Sequence, residues 1–350
     1  MYSSTLHIMK VLGRDVHAHH IPFIVAVMVL LIVVTGGWVR ISDAGESCPD
    51  WPTCFGEFGF TISSEKQMEW WSENPDEADS RHENDPDFTY TTNQIFTEWL
   101  HRFLVGIIGI ILLYSQILVW NKREKIGDRP YKIHMIAMLL LISQAIIGMI
   151  TVRYDNAPWS VSVHLAAAML FITTLLWTGV VWMKSENVLP NNLKIKTKKT
   201  VWKLLLMMSI VTLIMGMVGG YISSGKYADD CSTGVVNGWP LCNGEIIPAH
   251  ENFGANVTFL HRILALMTGG ILFWGGQWMR ENGGKNILTT HVDIALGLFV
   301  MNLIVGALHL VMMDENGFPG WLSLLHLTLA TLMFIALAFP TVIAHEALKE

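Results

Sequence analysis

Four histidines lie at matching positions in the long apolar stretches of this chain of 350 residues. His101 precedes His164 by 63 residues, and His261 precedes His326 by 65 residues. A neutral imidazole is the commonest metal ligand among side chains. An ionisable ring is costly in apolar surroundings, so four rings at a repeated spacing indicate a binding site. We therefore predict that these histidines ligate metal, two in each half of the chain.

The number of histidines in each half narrows the choice of metal group. Zinc usually takes three or four protein ligands, and copper sites add sulfur or a third histidine. Two imidazoles at one depth of a helical bundle suit a planar iron porphyrin between them. Arg102 and Arg262 each follow a histidine directly and could pair with porphyrin propionates. The sequence therefore predicts two hemes, one in each half.

One carboxylate distinguishes the two halves. Glu98 stands three residues before His101, whereas Thr258 stands three residues before His261. A spacing of three places the carboxylate on the same helical face as the imidazole, one turn away. There it could move protons, orient a water molecule or stabilise a cationic intermediate. The alternative is an acidic residue that the helix dipole favours near a helix start.

The elements that carry these residues are predicted to be membrane-spanning helices. Hydrophobic residues make up 52% of the chain and charged residues 15%, with a mean hydropathy of +0.42 and a net charge of −6. This composition excludes a secreted globule and a nucleic-acid-binding protein. A helix of about twenty apolar residues can cross the bilayer. Eight such runs are present, near residues 21–39, 95–119, 132–152, 160–182, 202–221, 257–279, 288–312 and 320–343.

The basic residues predict an orientation in the membrane. Most of the 23 Lys and Arg residues fall on one predicted side, together with both termini. The positive-inside rule assigns that side to the cytoplasm. The loops 40–94 and 222–256 then face outward. We expect the plasma membrane of a bacterium or archaeon, or an equivalent inner membrane.

The chain repeats itself, which predicts a duplicated unit. Gly36-Gly37 matches Gly219-Gly220, and the Trp-Pro-x-Cys sequence at 51–54 matches the one at 239–242. We predict an all-α integral membrane protein with eight transmembrane helices, built as two tandem four-helix bundles. Both units enter and leave on the same side, so a pseudo-two-fold axis along the membrane normal would relate them. The predicted divisions are an N-terminal half at 1–183, a cytoplasmic Lys-rich linker at 184–200 and a C-terminal half at 201–350.

All four cysteines lie in the two loops predicted to face outward, where disulfides persist. Cys48 with Cys54 and Cys231 with Cys242 is the simplest connectivity, because each pair closes a short loop. The sequence does not exclude crossed pairs. Such bonds either fix the loops or take part in redox chemistry.

Two further features stand outside the repeated pattern. Residues 61–92 have no counterpart in the second half, and their many acidic residues predict a solvated or partly disordered segment. His309, near the predicted outer end of the seventh helix, is a further polar candidate inside the membrane.

The combination of these motifs resembles that of the heme A synthase family, over nearly the whole chain. The matching features are the Trp-Pro-x-Cys loops, Glu98-x-x-His101-Arg102, Leu260-His261-Arg262, the second histidine of each half and the eight-helix duplication. The resemblance implies an oxidoreductase that converts the C8 methyl of heme O to the formyl group of heme A. The implied route is successive hydroxylation followed by loss of water from a gem-diol.

The resemblance also implies roles for single residues. In this family the N-terminal half is taken to hold the substrate heme and the C-terminal half a heme b cofactor. His101 and His164 would then ligate heme O or heme A, His261 and His326 would ligate heme b, and Glu98 would serve catalysis. Cys48 and Cys54 match a first-loop pair that is thought to be redox-active or to shape the site. Trp38 and Arg40 are possible substrate contacts.

The implied partners are a heme O synthase in the same membrane and the machinery that assembles terminal oxidases. Two other functions fit part of the pattern. A bis-histidine di-heme cytochrome b would carry electrons from a quinol, but it needs no carboxylate beside one heme and usually places its hemes at two depths. A heme transporter would bind its cargo weakly and exchangeably.

Overall fold

The computed structural model describes residues 7–11, 14–77, 80–231, 234–313 and 319–349. Nearly all of the regular secondary structure in these residues is helical. The helices are α1 (Ile21–Ile41), α2 (Ser64–Glu73), α3 (Ser80–Asn84), α4 (Thr92–Ile126), α5 (Asp128–Arg153), α6 (Pro158–Ser185), α7 (Lys199–Gly225), α8 (Phe253–Gly283), α9 (Ile287–Val311) and α10 (Gly320–Ala347). Two short strand pairs complete it: β1 (His7–Val11) pairs antiparallel with β2 (Arg14–His17), and β3 (Val235–Val236) pairs in parallel with β4 (Trp239–Pro240).

Eight of these helices, α1 and α4 to α10, are long and apolar enough to cross a membrane. Large apolar side chains on their outer faces are exposed, such as Ile110 at 73% and Trp274 at 70%. Exposed apolar surface on this scale is suited to contact with lipid and not with water. The chain is therefore an integral membrane protein, and the predicted number of spans is confirmed.

Helix α4 is longer at both ends than its apolar run predicts. It begins with a capping box in which Thr91 and Gln94 each bond the other's backbone. At the other end the helix continues through charged residues, which are good helix formers, until Gly127 with φ of 80°. Hydropathy detects only the part of a helix that lies in lipid, so it misses these polar turns.

The long helices pack in a repeated pattern. In the first half α1 contacts α4 and α6, and α5 contacts α4 and α6; in the second half α7 contacts α8 and α10, and α9 contacts α8 and α10. Contacts of α6 with α7 and α10, and of α1 with α10, join the halves. Helices α6 and α10 are the most buried of the eight, because each packs on two helices of its own half and on two helices of the other half.

The two Gly-Gly pairs allow close contact between the halves. A Cβ atom on Gly37 of α1 would lie 2.5 Å from Leu327 of α10, and one on Gly220 of α7 would lie 3.5 Å from Leu165 of α6. Small residues let membrane helices approach closely. The second glycine of each pair therefore lets a helix of the opposite half pack closely against its own helix.

The prediction that residues 61–92 are solvated agrees with the exposed acidic side chains of the described part, whereas partial disorder does not agree with its helices α2 and α3. Helix α2 is capped by Ser63, and Trp70 and Trp71 pack edge-on against Phe55, with ring centres 5.6 and 5.2 Å apart. The Gln67 side chain donates to and accepts from the backbone of Tyr90 at 3.0 and 2.8 Å. Aromatic residues between the acids give the segment a buried face, which counting charge alone does not reveal.

Candidate functional site

All four predicted histidines line one cavity of about 1780 Å³. Its walls come from all eight long helices, from α2 and from both cysteine loops. Pockets for single small molecules are typically roughly 300–1,000 Å³. This cavity is therefore large enough for more than one large ligand.

Each imidazole packs against a glycine of the preceding long helix. A Cβ on Gly36, Gly148, Gly219 or Gly306 would come within 3.0, 3.4, 3.3 or 2.9 Å of Cε1 of His101, His164, His261 or His326, respectively. We call these four residues the cradle glycines. They hold each ring against the backbone of a neighbouring helix and leave its other side toward the cavity.

Sequence reasoning identified only half of the cradle glycines. Gly36 and Gly219 were visible as repeated Gly-Gly pairs, whereas Gly148 and Gly306 were not identified as functional. Gly148 precedes its histidine by 16 residues and Gly306 precedes its histidine by 20, because the connecting loops differ in length. The two glycines therefore align only when a gap of four residues is placed in that loop.

The nitrogen atoms of the second-half histidines suit a shared metal atom. His326 Nδ1 donates to the carbonyl of Asn302 at 3.2 Å, which leaves Nε2 as the unprotonated nitrogen. Ligating histidines commonly donate their other N–H to a carbonyl in this way. The ring centres of His261 and His326 are 6.4 Å apart. Two imidazoles that share one metal at about 2 Å each have ring centres about 6 Å apart, so this pair fits an iron porphyrin.

The first-half histidines line the same cavity and have different neighbours. Nδ1 of His164 is buried and has no hydrogen-bond partner in the part of the chain that is described. Thr35 Oγ1 lies 3.3 Å from Nδ1 of His101, and Gln144 donates to the carbonyl of His164 at 3.2 Å. Buried imidazole nitrogens without protein partners are suited to bind a ligand.

Glu98 is buried at the cavity wall, next to the Cys48 loop. One of its oxygens accepts from the Cys48 backbone N–H at 2.9 Å and from the Ser47 hydroxyl at 3.1 Å. The other accepts from Arg102 at 2.5 Å. Thr258, at the matching position, donates to the carbonyl of Tyr227 at 3.1 Å. The first half thus has a fixed carboxylate at this position, and the second half has a hydroxyl.

Arg102 and Arg262 hold the cysteine loops. Arg102 donates to the carbonyls of Cys48, Asp50 and Thr53, at 2.5, 2.5 and 2.9 Å. Arg262 donates to the carbonyls of Gly238, Pro240 and Leu241, at 2.8, 3.1 and 2.6 Å. Sequence reasoning missed this role, because loop carbonyls carry no sequence signal. Pairing of these arginines with propionates stays a prediction.

The simplest disulfide pairing is confirmed: Cys48 is bonded to Cys54, and Cys231 to Cys242. All four cysteines are buried. The second cysteine of each pair begins the same turn: Cys54 and Glu57 exchange two backbone hydrogen bonds, as do Cys242 and Glu245. The two loops are therefore built alike.

The remaining candidates have different surroundings. His309 lines the cavity, and its Nε2 lies 2.7 Å from the hydroxyl of Ser323. Arg40 also lines the cavity, and it donates to the carbonyls of Ser223 and Ser224 at the end of α7. Trp38 is half exposed and is not among the residues that line the cavity.

Comparisons with known proteins agree with the motifs. The family model described as "Cytochrome oxidase assembly protein", COX15-CtaA, matches residues 19–338. The heme A synthase of Shewanella oneidensis is 26% identical over 340 residues, which cover 89% of this chain and 94% of the relative. Those of Beijerinckia indica and Flavobacterium psychrophilum are 25% and 24% identical, and the matches cover 88% and 92% of this chain and 87% and 95% of the relatives. The chain therefore belongs to the COX15-CtaA family of cytochrome oxidase assembly proteins.

Proposed function

We propose that this protein is a heme A synthase, an oxidoreductase that converts the C8 methyl of heme O to the formyl group of heme A. Its product would serve the assembly of a terminal oxidase. Membership of the family and relatives named heme A synthase along most of the chain support this function. The observation that carries it is the buried carboxylate of Glu98 beside one imidazole pair and a hydroxyl beside the other.

We further propose a division of labour between the halves. His101 and His164 hold the substrate heme O and the product heme A, and His261 and His326 hold heme b. The iron of heme b, when bound, supplies a redox centre for electrons taken from the substrate. The cradle glycines fix the imidazoles of both pairs, and the arginine-held loops cover the cavity on one side.

Glu98 is the proposed catalytic residue. Its oxygens accept three hydrogen bonds, from Ser47, Cys48 and Arg102, so the carboxylate cannot rotate away from the cavity wall. A fixed carboxylate can take a proton from a water molecule or stabilise positive charge that develops on the substrate. A cytochrome b that only carries electrons has no use for such a group in one half alone.

The proposed architecture is two tandem four-helix bundles, 1–183 and 201–350, joined by the linker 184–200 and related by a pseudo-two-fold axis. The repeated contacts among the long helices and the like-built cysteine loops support it. The distribution of Lys and Arg supports cytoplasmic termini and cysteine loops on the outer face. A heme O synthase in the same membrane is the proposed supplier of substrate.

The test is a pair of matched variants, Glu98→Gln and Thr258→Val, in cells that make heme O. We expect Glu98→Gln to keep both bound hemes and to lower heme A formation by about 10²- to 10⁴-fold, the usual contribution of a general acid or base. Thr258→Val should keep most of the activity. Hemes extracted from the purified proteins and separated by chromatography provide the readout. Heme A formation at the wild-type rate in Glu98→Gln would refute the proposed role, and heme b as the sole porphyrin in every preparation would favour the cytochrome.

A further inference from the structure

The basic side chains that line the cavity differ in how far their charges are already paired. Among the described residues, the lining Lys and Arg residues are Arg40, Arg102, Arg153, Lys226 and Arg262. Arg102 donates to four protein oxygens and Arg262 to three, so little of either guanidinium is left for a ligand. Arg40 is paired with Asp43 and with the carbonyls at the end of α7.

Arg153 and Lys226 are the two that remain. Lys226 interacts electrostatically with Asp229. The guanidinium of Arg153 is exposed and forms no hydrogen bond or ion pair with any described residue. A guanidinium with free donors can bind a carboxylate through two parallel hydrogen bonds. Within the described wall of the cavity, Arg153 is therefore the cation best able to bind an anionic ligand.

Arg153 lies at the end of the first-half site that the cysteine loop covers. It ends α5, five residues beyond Gly148, the cradle glycine of His164. Five residues of helix rise about 7.5 Å. The turn that follows is held to the first cysteine loop, because Asn156 donates to Glu46 at 2.6 Å. A ring bound at His164 would therefore have Arg153 near its loop-side edge.

The second half has no arginine at the matching position. Val311 lies five residues beyond Gly306, as Arg153 does beyond Gly148. Val311 is not among the residues that line the cavity. The free guanidinium and the carboxylate of Glu98 thus both belong to the half that is proposed to bind the substrate.

We propose that Arg153 binds a propionate of the substrate heme and so fixes the position of the C8 methyl. This inference rests on the proposed function. The C8 methyl is the ring substituent next to a propionate, so a bidentate contact at that edge stops the ring from turning about its iron and keeps the methyl in one place. Asp155 also lines the cavity, and without the guanidinium its charge would repel the propionate. Arg153 is thus a positioning residue, and Glu98 is the catalytic one.

The test compares heme O with its dimethyl ester, in which the propionates carry no charge. The wild type, Arg153→Gln and Arg153→Lys are purified from cells that make heme B and no heme O, and each is titrated with either compound while the Soret band is followed. We expect Arg153→Gln to raise the Kd for heme O about tenfold, the usual effect of losing a hydrogen bond to a charged group. The Kd for the ester should stay the same. Arg153→Lys should restore part of the affinity for heme O, because it keeps the charge without the planar fork.

Two controls accompany these variants. Arg123→Gln removes an arginine that stacks on Trp120 at the other end of α4, and it should leave both Kd values unchanged. The heme b content of every variant should equal that of the wild type, which shows that the chain has folded.

Three results would overturn the assignment to Arg153. They are equal weakening of heme O and ester binding in Arg153→Gln, no weakening of either, and a loss confined to heme O in Lys226→Gln but not in Arg153→Gln. Normal heme A formation with an unchanged Kd in Arg153→Gln refutes this inference alone. A wild type that neither binds nor converts heme O refutes the proposed function as well.

Discussion

The cradle glycines make a graded prediction, because the four of them differ in how closely they approach their histidines. In Gly306→Ala the new Cβ would lie 2.9 Å from Cε1 and 3.3 Å from Nδ1 of His326. Ordinary contact begins near 3.4 Å, so the ring must move by about half an ångström. That movement strains its 3.2 Å bond to the carbonyl of Asn302.

The size of the effect follows from two opposing contributions. Overpacking costs about 1–3 kcal/mol, whereas alanine in place of glycine inside a helix gains about 1 kcal/mol. The substitution therefore changes the stability of α9 itself little, and its main effect is to displace the imidazole of His326. If that cost appears in ligand binding, heme b is held about ten- to hundredfold more weakly.

The assay is heme content per polypeptide together with the absorption spectrum of the reduced protein. Gly306→Ala should lose heme b and keep heme O or heme A, and Gly36→Ala, at 3.0 Å from His101, should do the reverse. Gly148→Ala, at 3.4 Å from His164, should change little. Gly297→Ala is the matched control in α9, because its Cβ would meet no atom within 4 Å. Equal heme loss in Gly297→Ala and Gly306→Ala would refute the reasoning.

Two further predictions concern the loop and the cytoplasmic end. Arg262→Lys should expose residues 238–241 to limited proteolysis and lower heme b content severalfold, because a lysine cannot donate to three carbonyls from a planar fork; an uncleaved loop with full heme content would contradict this. At the end of α6, burial alone would raise the pKa of Glu186, but hydrogen bonds from His19 and Lys122 outweigh it and lower the pKa to about 2. Since the folded pKa lies below the unfolded value, Glu186 stabilises the fold above pH 4.5, and this stabilisation is lost as pH falls toward 2. Thermal unfolding of Glu186→Gln should therefore occur at a lower temperature than that of the wild type at pH 7, with the difference shrinking below pH 4.5; a constant difference would contradict the assignment.

Much of the fold and of the site could be predicted because both depend on patterns that survive duplication. Apolar runs of sufficient length specify the eight spans, and the second copy of each motif separates His101, His164, His261 and His326 from the other histidines. The short disulfide loops followed from spacing, since neighbouring cysteines in one loop meet most easily.

The parts that could not be predicted depend on backbone groups and on irregular loops. Arg102 donates to carbonyls, which every residue has, so its role has no signature in residue types. Gly148 leaves room for His164 because it has no side chain, and the number of residues between the two depends on the length of the loop that joins their helices. Trp70 and Trp71 order the acidic segment through one buried face, a pattern too short to recognise without its partner Phe55.

The two adjacent glycines of α1 contact different halves of the protein. Gly36 lies against His101, while Gly37 receives Leu327, the residue that follows His326. In α7 the same holds for Gly219 with His261 and for Gly220 with Leu165, which follows His164. The halves cannot slide past each other along the membrane normal without displacing an imidazole in both. The duplicated chain is thus kept in register at its histidines, near the ends of the helices on the side of the cysteine loops.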